Sequence, residues 1–219
     1  MRILGLDIST KTGWALVDYE AGKEPRLLSS GVIRLSGPVV GYAGGKYPWS
    51  YLGAADVESA DIMGLIREQL PDVVVIEEVN LGRSRYAQRI LEFIHCQFLM
   101  ALRAMVSDDG ALNVVYVSSS VWRQCLGLKL TSAQRRDNAR LSRAKAEASA
   151  SGTRLNKKAL GLRGKVTKKH LALAYANQRY GLQLRVKDND IADAICLATA
   201  YADSLAGRTE KFVPCDGVV

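Results

Sequence analysis

No uninterrupted apolar run in the 219 residues approaches the roughly 20 needed to span a membrane, so no membrane association is expected. The opening MRILGLDIST turns acidic and polar after six residues, too early for the apolar region of a secretory signal. Cysteine is scarce: Cys96, Cys125, Cys196 and Cys215 form no CxxC pair and follow no regular spacing. That excludes a disulfide framework and leaves buried free thiols in a reducing, cytoplasmic setting as the expectation. The two histidines, His95 and His170, fit no zinc spacing with those cysteines. There is no internal repeat. With 48% hydrophobic and 24% charged residues, wholesale disorder, collagen and coiled coil are excluded as well. A chain of this length suits one domain with an elaboration, able to bury roughly 70% of its unfolded surface.

One kind of scarcity is local. Between Trp122 and Lys187 there are only two acids, Asp137 and Glu147, against 17 lysines and arginines. The rest of the chain carries 13 basic and 20 acidic residues, so the net +8 is a mildly acidic body bearing one strongly basic stretch. Such a charge points to a polyanionic partner, either nucleic acid or an anionic membrane surface.

The hydrophobic pattern predicts a short strand at 3–8 ending in a carboxylate, and a second at 13–19 joined to it as a hairpin by the polar turn Ser9–Thr12. A third strand is predicted at 27–34, followed by a long loop at 35–52 rich in Gly, Pro and aromatics. Ile62, Leu65, Ile66 and Gln69 are spaced for an amphipathic helix over 53–69, stopped by Pro71. VVVIEEV at 73–79 is the β-branched run of a buried central strand. A long helix over 84–106 places Ile90, Leu91, Ile94, Phe98 and Leu102 along one side, and NVVYVS at 113–118 is a further strand. A short helix follows, capped at Ser118–Ser120 and ending near Gly127. Residues 129–164 are basic, rich in Ala and Ser and poor in large apolar groups. They read as an exposed insertion, mobile in part without a ligand, with a helix from about Ser132, as N-cap, to Ala148. Helices at 166–180 and 188–206 complete a unit spanning 1–206, with a loosely held tail at 207–219. The element order implies an α/β fold, a central mixed five-stranded sheet flanked by helices.

Three acidic features stand out. Asp7 ends an apolar strand, where a carboxylate is costly to bury without a metal, a cation or hydrogen bonds. Glu77 and Glu78 follow one another on a strand and so point to opposite faces; at most one shares a site with Asp7. Asp190 and Asp193 are three apart, on one face of a helix start. Singly, each has an ordinary explanation as a turn former, a strand end or a helix cap. Clustered, they repel one another, and hard divalent cations offset that cost while supplying catalysis.

The order first strand, central strand, last helix resembles the RuvC family of Holliday junction resolvases, in the ribonuclease H and retroviral-integrase superfamily. The stretches that carry the resemblance are ILGLDISTKTGWALV, PDVVVIEEV and DNDIADAICLA. A weaker echo is SSSVWRQCLGLK joined across the insertion to GKVTKKHLALAYANQRYG. The resemblance implies a ribonuclease H-like fold carrying a basic helical insertion. It makes Asp7, Glu77, Asp190 and Asp193 the catalytic carboxylates and metal ligands, holding two Mg²⁺ ions for which Mn²⁺ substitutes, with Asp7 shared between them. The implied reaction is phosphodiester hydrolysis in branched DNA, four-way junctions favoured, giving 5′-phosphate and 3′-hydroxyl ends. A homodimer in the cytoplasm of a bacterial or phage-infected cell is implied too, and Lys168 or Lys169 would contact the scissile phosphate.

Further phosphate contacts are expected from the basic stretch: Arg123, Lys129, Arg135, Arg136, Arg140, Arg143, Lys157, Lys158, Arg163 and Lys165. Arg83, Arg85, Tyr86 and Arg89, just past the Glu77 strand, would lie at the mouth of the site and grip the branch point. The chain departs from the family pattern at Asn80, where bacterial members often carry an aromatic. The insertion and the 35–52 loop, absent from compact bacterial enzymes, are the marks of a phage-type divergent member. LGLDIST also resembles the first phosphate loop of sugar kinases and actin-like ATPases. Those proteins need a second lobe with another Asp-Gly loop, which nothing after residue 120 supplies, and they leave the basic stretch unexplained. A non-catalytic branched-DNA-binding protein on the same fold, or a nuclease for flaps, forks or RNA–DNA hybrids, are the other readings.

Overall fold

Among the described residues, five strands and six α-helices form in the order β1 (Arg2–Asp7), β2 (Lys11–Asp18), β3 (Arg26–Arg34), α1 (Trp49–Gln69), β4 (Val73–Glu77), α2 (Arg85–Asp109), β5 (Asn113–Val117), α3 (Ser119–Cys125), α4 (Ser132–Ala150), α5 (Lys168–Tyr180) and α6 (Asn189–Leu205). The computed structural model describes residues 1–34, 47–79, 85–109, 112–161, 164–209 and 212. The sheet runs β3-β2-β1-β4-β5. The first three strands form an antiparallel meander, and β4 and β5 add in parallel on the other side of β1.

The two-residue side-chain period of the strands sorts the sheet into two faces. Leu4, Leu6, Leu16, Val74 and Ile76 meet Ile62, Ile66, Ile94, Phe98 and Leu102 of α1 and α2 in one buried core. Ile3, Ala15, Val17, Val73 and Val75 meet Ile195, Leu197 and Ala198 of α6, with Leu173 of α5 and Trp122 of α3, in the other. Helix α6 lies close because the strands beneath it carry glycine. A Cβ on Gly5 would stand 2.5 Å from the Ala194 carbonyl oxygen, and one on Gly13 would fall onto the carbonyl of Asp190.

Several expectations are corrected. Helix α1 begins at Trp49, so residues 49–52 are helical and not loop. Of the loop itself, 35–46 lie outside the described residues. Helix α1 closes on Leu70, which takes the left-handed conformation (φ 47°), with Pro71 after it. Helix α4 is capped by Thr131 and not Ser132: the Thr131 side chain accepts from the Gln134 backbone N–H, and the Gln134 side chain accepts from that of Thr131. The helix is largely exposed and buries only Leu141. Asn138 ties it to the chain beyond the insertion by exchanging two hydrogen bonds with the Val166 backbone, at 2.7 and 2.9 Å. The thiols are not uniformly buried: Cys196 is buried, Cys125 partly buried and Cys96 exposed. Cys215 lies outside the described residues.

Candidate active site

Three elements deliver the acids. Asp7 ends β1, and because it follows Ile3 and Gly5 at two-residue spacing it faces α6. In the parallel β1–β4 register Leu6 pairs with Ile76, so one further step sets Asp7 beside Glu77. The same alternation turns Glu78 to the other face, while its backbone N–H extends the pairing with β5 by donating to the Val117 carbonyl. Asp190 lies in the first turn of α6 and Asp193 just beyond it, held over the sheet by the contacts at Gly13 and Gly5.

Electrostatics bind the four into one group. The Asp7 carboxyl is pushed well above the usual carboxylate range, first by burial and then by the neighbouring charges of Glu77, Asp193 and Asp190. Asp193 is 3% exposed, and burial raises it to about 6 although Arg123 pulls the other way. Cationic and polar side chains are drawn in. Arg123 Nη2 lies 3.4 Å from Asp193 Oδ2 and 3.9 Å from Glu77 Oε2. Its guanidinium also stacks on the Trp122 ring, 4.0 Å from the centroid. The fully buried Trp122 donates its indole N–H to Glu77 at 2.8 Å. Lys11 Nζ is 2.5 Å from Asp190, with Lys169 Nζ on the same carboxylate at 3.7 Å.

Trp122 and Lys11 are therefore site residues that residue patterns alone did not single out. Lys11 stands inside the quoted ISTKTG turn. A tryptophan that is to be buried needs an acceptor for its N–H, which was the available signal for Trp122.

The remaining cations distribute as follows. Lys168 lies at the start of α5 and lines a cavity with Arg123, Lys129 and Arg135. Arg136, Arg140, Arg143, Lys157, Lys158 and Lys165 are exposed. Arg89, one turn into α2, lies 5.8 Å from the Tyr47 ring centroid and is not among the residues around the carboxylates. Arg83, Asn80 and Arg163 lie outside the described residues, as do the side chains of Arg85 and Tyr86.

Among the described residues, no three His, Cys, Asp or Glu side chains stand together as a ready metal-ligand group. The donor set nonetheless fits hard divalent cations. It consists of carboxylate oxygens alone, the neighbouring acids raise the proton affinity of Asp7 and Asp193, and Asp193 Oδ1 is buried with no hydrogen-bond partner among the described residues.

A five-stranded mixed sheet in this order, with acids at the ends of its two central strands and at the start of the last helix, is a ribonuclease H-like fold. No family model and no curated protein matches the sequence. Among solved structures the chain is similar to Thermus thermophilus RuvC in complex with a Holliday junction substrate, with a TM-score of 0.59 and 17% identity over 98% of this chain and 99% of that one. It is similar to Thermus thermophilus RuvC alone, with a TM-score of 0.58 and 15% identity over 98% and 100% of the two chains. It is also similar to the yeast mitochondrial Holliday junction resolvase Ydc2, with a TM-score of 0.50 and 13% identity over 92% and 78%. At these identities the likeness is one of fold.

Proposed function

We propose that this protein is a structure-selective DNA endonuclease that resolves Holliday junctions or related branched DNA in recombination or repair. The observation that carries the reading is the convergence of Asp7, Glu77, Asp190 and Asp193 from β1, β4 and α6 into one mutually repelling cluster with an orphaned buried oxygen on Asp193. The fold shared with structures of Holliday junction resolvases supports it, as does the basic stretch that lies between Glu77 and Asp190 in the chain.

These four carboxylates would hold two Mg²⁺ ions, with Mn²⁺ able to substitute. Bound there, such ions supply a water of lowered pKa and Lewis acidity at the phosphoryl and leaving oxygens. Asp7, on which the charges of the other three act, would contribute to holding both ions. Trp122 holds the Glu77 carboxylate in orientation. Arg123 and Lys11 neutralise Glu77, Asp193 and Asp190 in the protein alone. Of Lys168 and Lys169, at the start of α5, Lys169 reaches the Asp190 carboxylate, where a phosphate brought over the acids would meet positive charge. Hydrolysis leaves 5′-phosphate and 3′-hydroxyl ends. A homodimer acting on opposed strands is part of the proposal.

The test is cleavage of labelled four-way, flap, fork, duplex and RNA–DNA hybrid substrates with Mg²⁺ or Ca²⁺. Preferential cutting of four-way junctions is expected. Preference for flaps, forks or hybrids would reassign the target, and equal cutting of plain duplex would remove structure selectivity. Asp7→Asn is expected to abolish cleavage while DNA binding, measured by gel shift, persists.

A further inference from the structure

A cavity of about 360 Å³ opens beside the carboxylates, between α3, the start of α4 and the start of α5. Arg123, Lys129, Arg135 and Lys168 line it together with the polar side chains of Ser120 and Gln124, and none of the described residues that line it is acidic. Lys129, Arg135 and Lys168 make no ion pair among the described residues. Four like charges around one concavity repel, and an anion seated among them relieves that repulsion. Its volume is at the small end of ligand sites, too small for a duplex and suited to a phosphate with part of its sugar. Arginine and lysine with hydroxyl and amide donors are the groups that hold backbone phosphates.

The cavity is continuous with the site, because Arg123 belongs to both. One edge of its guanidinium reaches Asp193 and Glu77, and its buried Nε–H has no acceptor among the described residues. A strand whose scissile phosphate lay over the carboxylates would run beside Arg123, which would bring a neighbouring phosphate to the cavity. From this geometry we infer that the cavity seats one non-scissile backbone phosphate of the strand being cut. The seat sets the register of that strand over Asp7, Glu77, Asp190 and Asp193. Half of its cations, Lys129 and Arg135, come from the insertion, which gives that segment a defined task. The inference rests on the nuclease reading above.

One seat for one phosphate makes a distinctive prediction. Lys129 and Arg135 are both exposed, so replacing them should leave folding intact. DNA binding is measured without divalent cation, so that nothing is cut, for the wild-type chain, Lys129→Gln, Arg135→Gln and the double variant. Each strand of a four-way junction is scanned with single neutral methylphosphonates. In the wild-type chain one position near the cut should weaken binding by roughly tenfold. That penalty should vanish in the double variant, whose own loss should be less than the product of the single losses. Its salt-dependence slope should fall by about one.

Multiplicative losses with a slope reduced by about two would show separate surface contacts and overturn the single seat. So would a scan in which no position loses its penalty in the variants. Displacement of DNA by inorganic phosphate, beyond the effect of chloride at equal ionic strength, would reassign the seat to a free phosphate compound. The two readings also fail separately. Junctions that show the methylphosphonate effect but are never cut with Mg²⁺ would overturn the nuclease and keep the seat. Cleavage without that effect would do the reverse.

Discussion

Arg123 is counter-ion to two acids at once, and removing it exposes what the site costs. Its side chain is 12% exposed and that of Asp193 4%, so the pair is held largely out of water. Taking away one partner of a buried pair leaves the other charge uncompensated, at a cost of about 3 kcal/mol. Arg123→Gln is therefore expected to lower the free energy of unfolding by that order in urea titrations, and the deficit should shrink when Mg²⁺ is added. A deficit unaffected by Mg²⁺ would separate Arg123 from the carboxylates' need for positive charge. Trp122→Phe keeps the buried ring but removes the hydrogen bond to Glu77. It should cost about 1–3 kcal/mol, the range for a polar group left without its partner.

At the scale of elements, the position of α6 decides whether the acids form a site at all. Gly13→Ala places a methyl group against the Asp190 carbonyl, a backbone atom that cannot rotate away. Overpacking of this kind costs about 1–3 kcal/mol. Here it would also lift the first turn of α6 from the sheet, so cleavage should fall far more than thermal stability does. A second element-level test concerns α2 and β5. His95 is buried, with Nδ1 3.1 Å from the Tyr116 hydroxyl, and burial lowers its pKa to about 4 from 6.5. The unfolded chain takes up a proton below pH 6.5 that the folded chain refuses until about pH 4. The contribution of His95 to stability is thus complete at neutral pH and is lost as the pH falls through that window, roughly 2 kcal/mol of it by pH 5. Urea midpoints at pH 7 and pH 5 measure the loss, and His95→Gln should flatten it.

For the whole molecule the relevant fact is charge separation, an acidic body against a segment with 17 basic and two acidic residues. Helix α4 buries only Leu141, so the insertion adds little to the cores on either face of the sheet. Deleting 129–164 is expected to leave the sheet folded by circular dichroism while weakening DNA binding and flattening its salt dependence. Unchanged affinity would give the insertion another purpose. Among the described residues no helix is long and apolar enough to cross a membrane.

The strand and helix order and the mixed five-stranded sheet were legible in the sequence, while the grouping of Asp7, Glu77, Asp190 and Asp193 as catalytic residues rests there on the resemblance to a family. Local periodicity accounts for the elements, for the two-residue repeat that separates Glu77 from Glu78, and for the three-residue spacing that aligns Asp190 with Asp193. The start of α1 at Trp49 and the cap at Thr131 were not, because several residues in each stretch satisfy the same local rules and packing chooses among them. Nor could the chain alone show which cations among so many face the acids. Lys11 and Arg123 are selected because β2 and α3 bring them to Asp190, Asp193 and Glu77. Sequence determined which charges exist and along which faces they repeat. Which charges meet was decided by tertiary structure, since Coulomb energies depend on distances that only the packed sheet and α6 define.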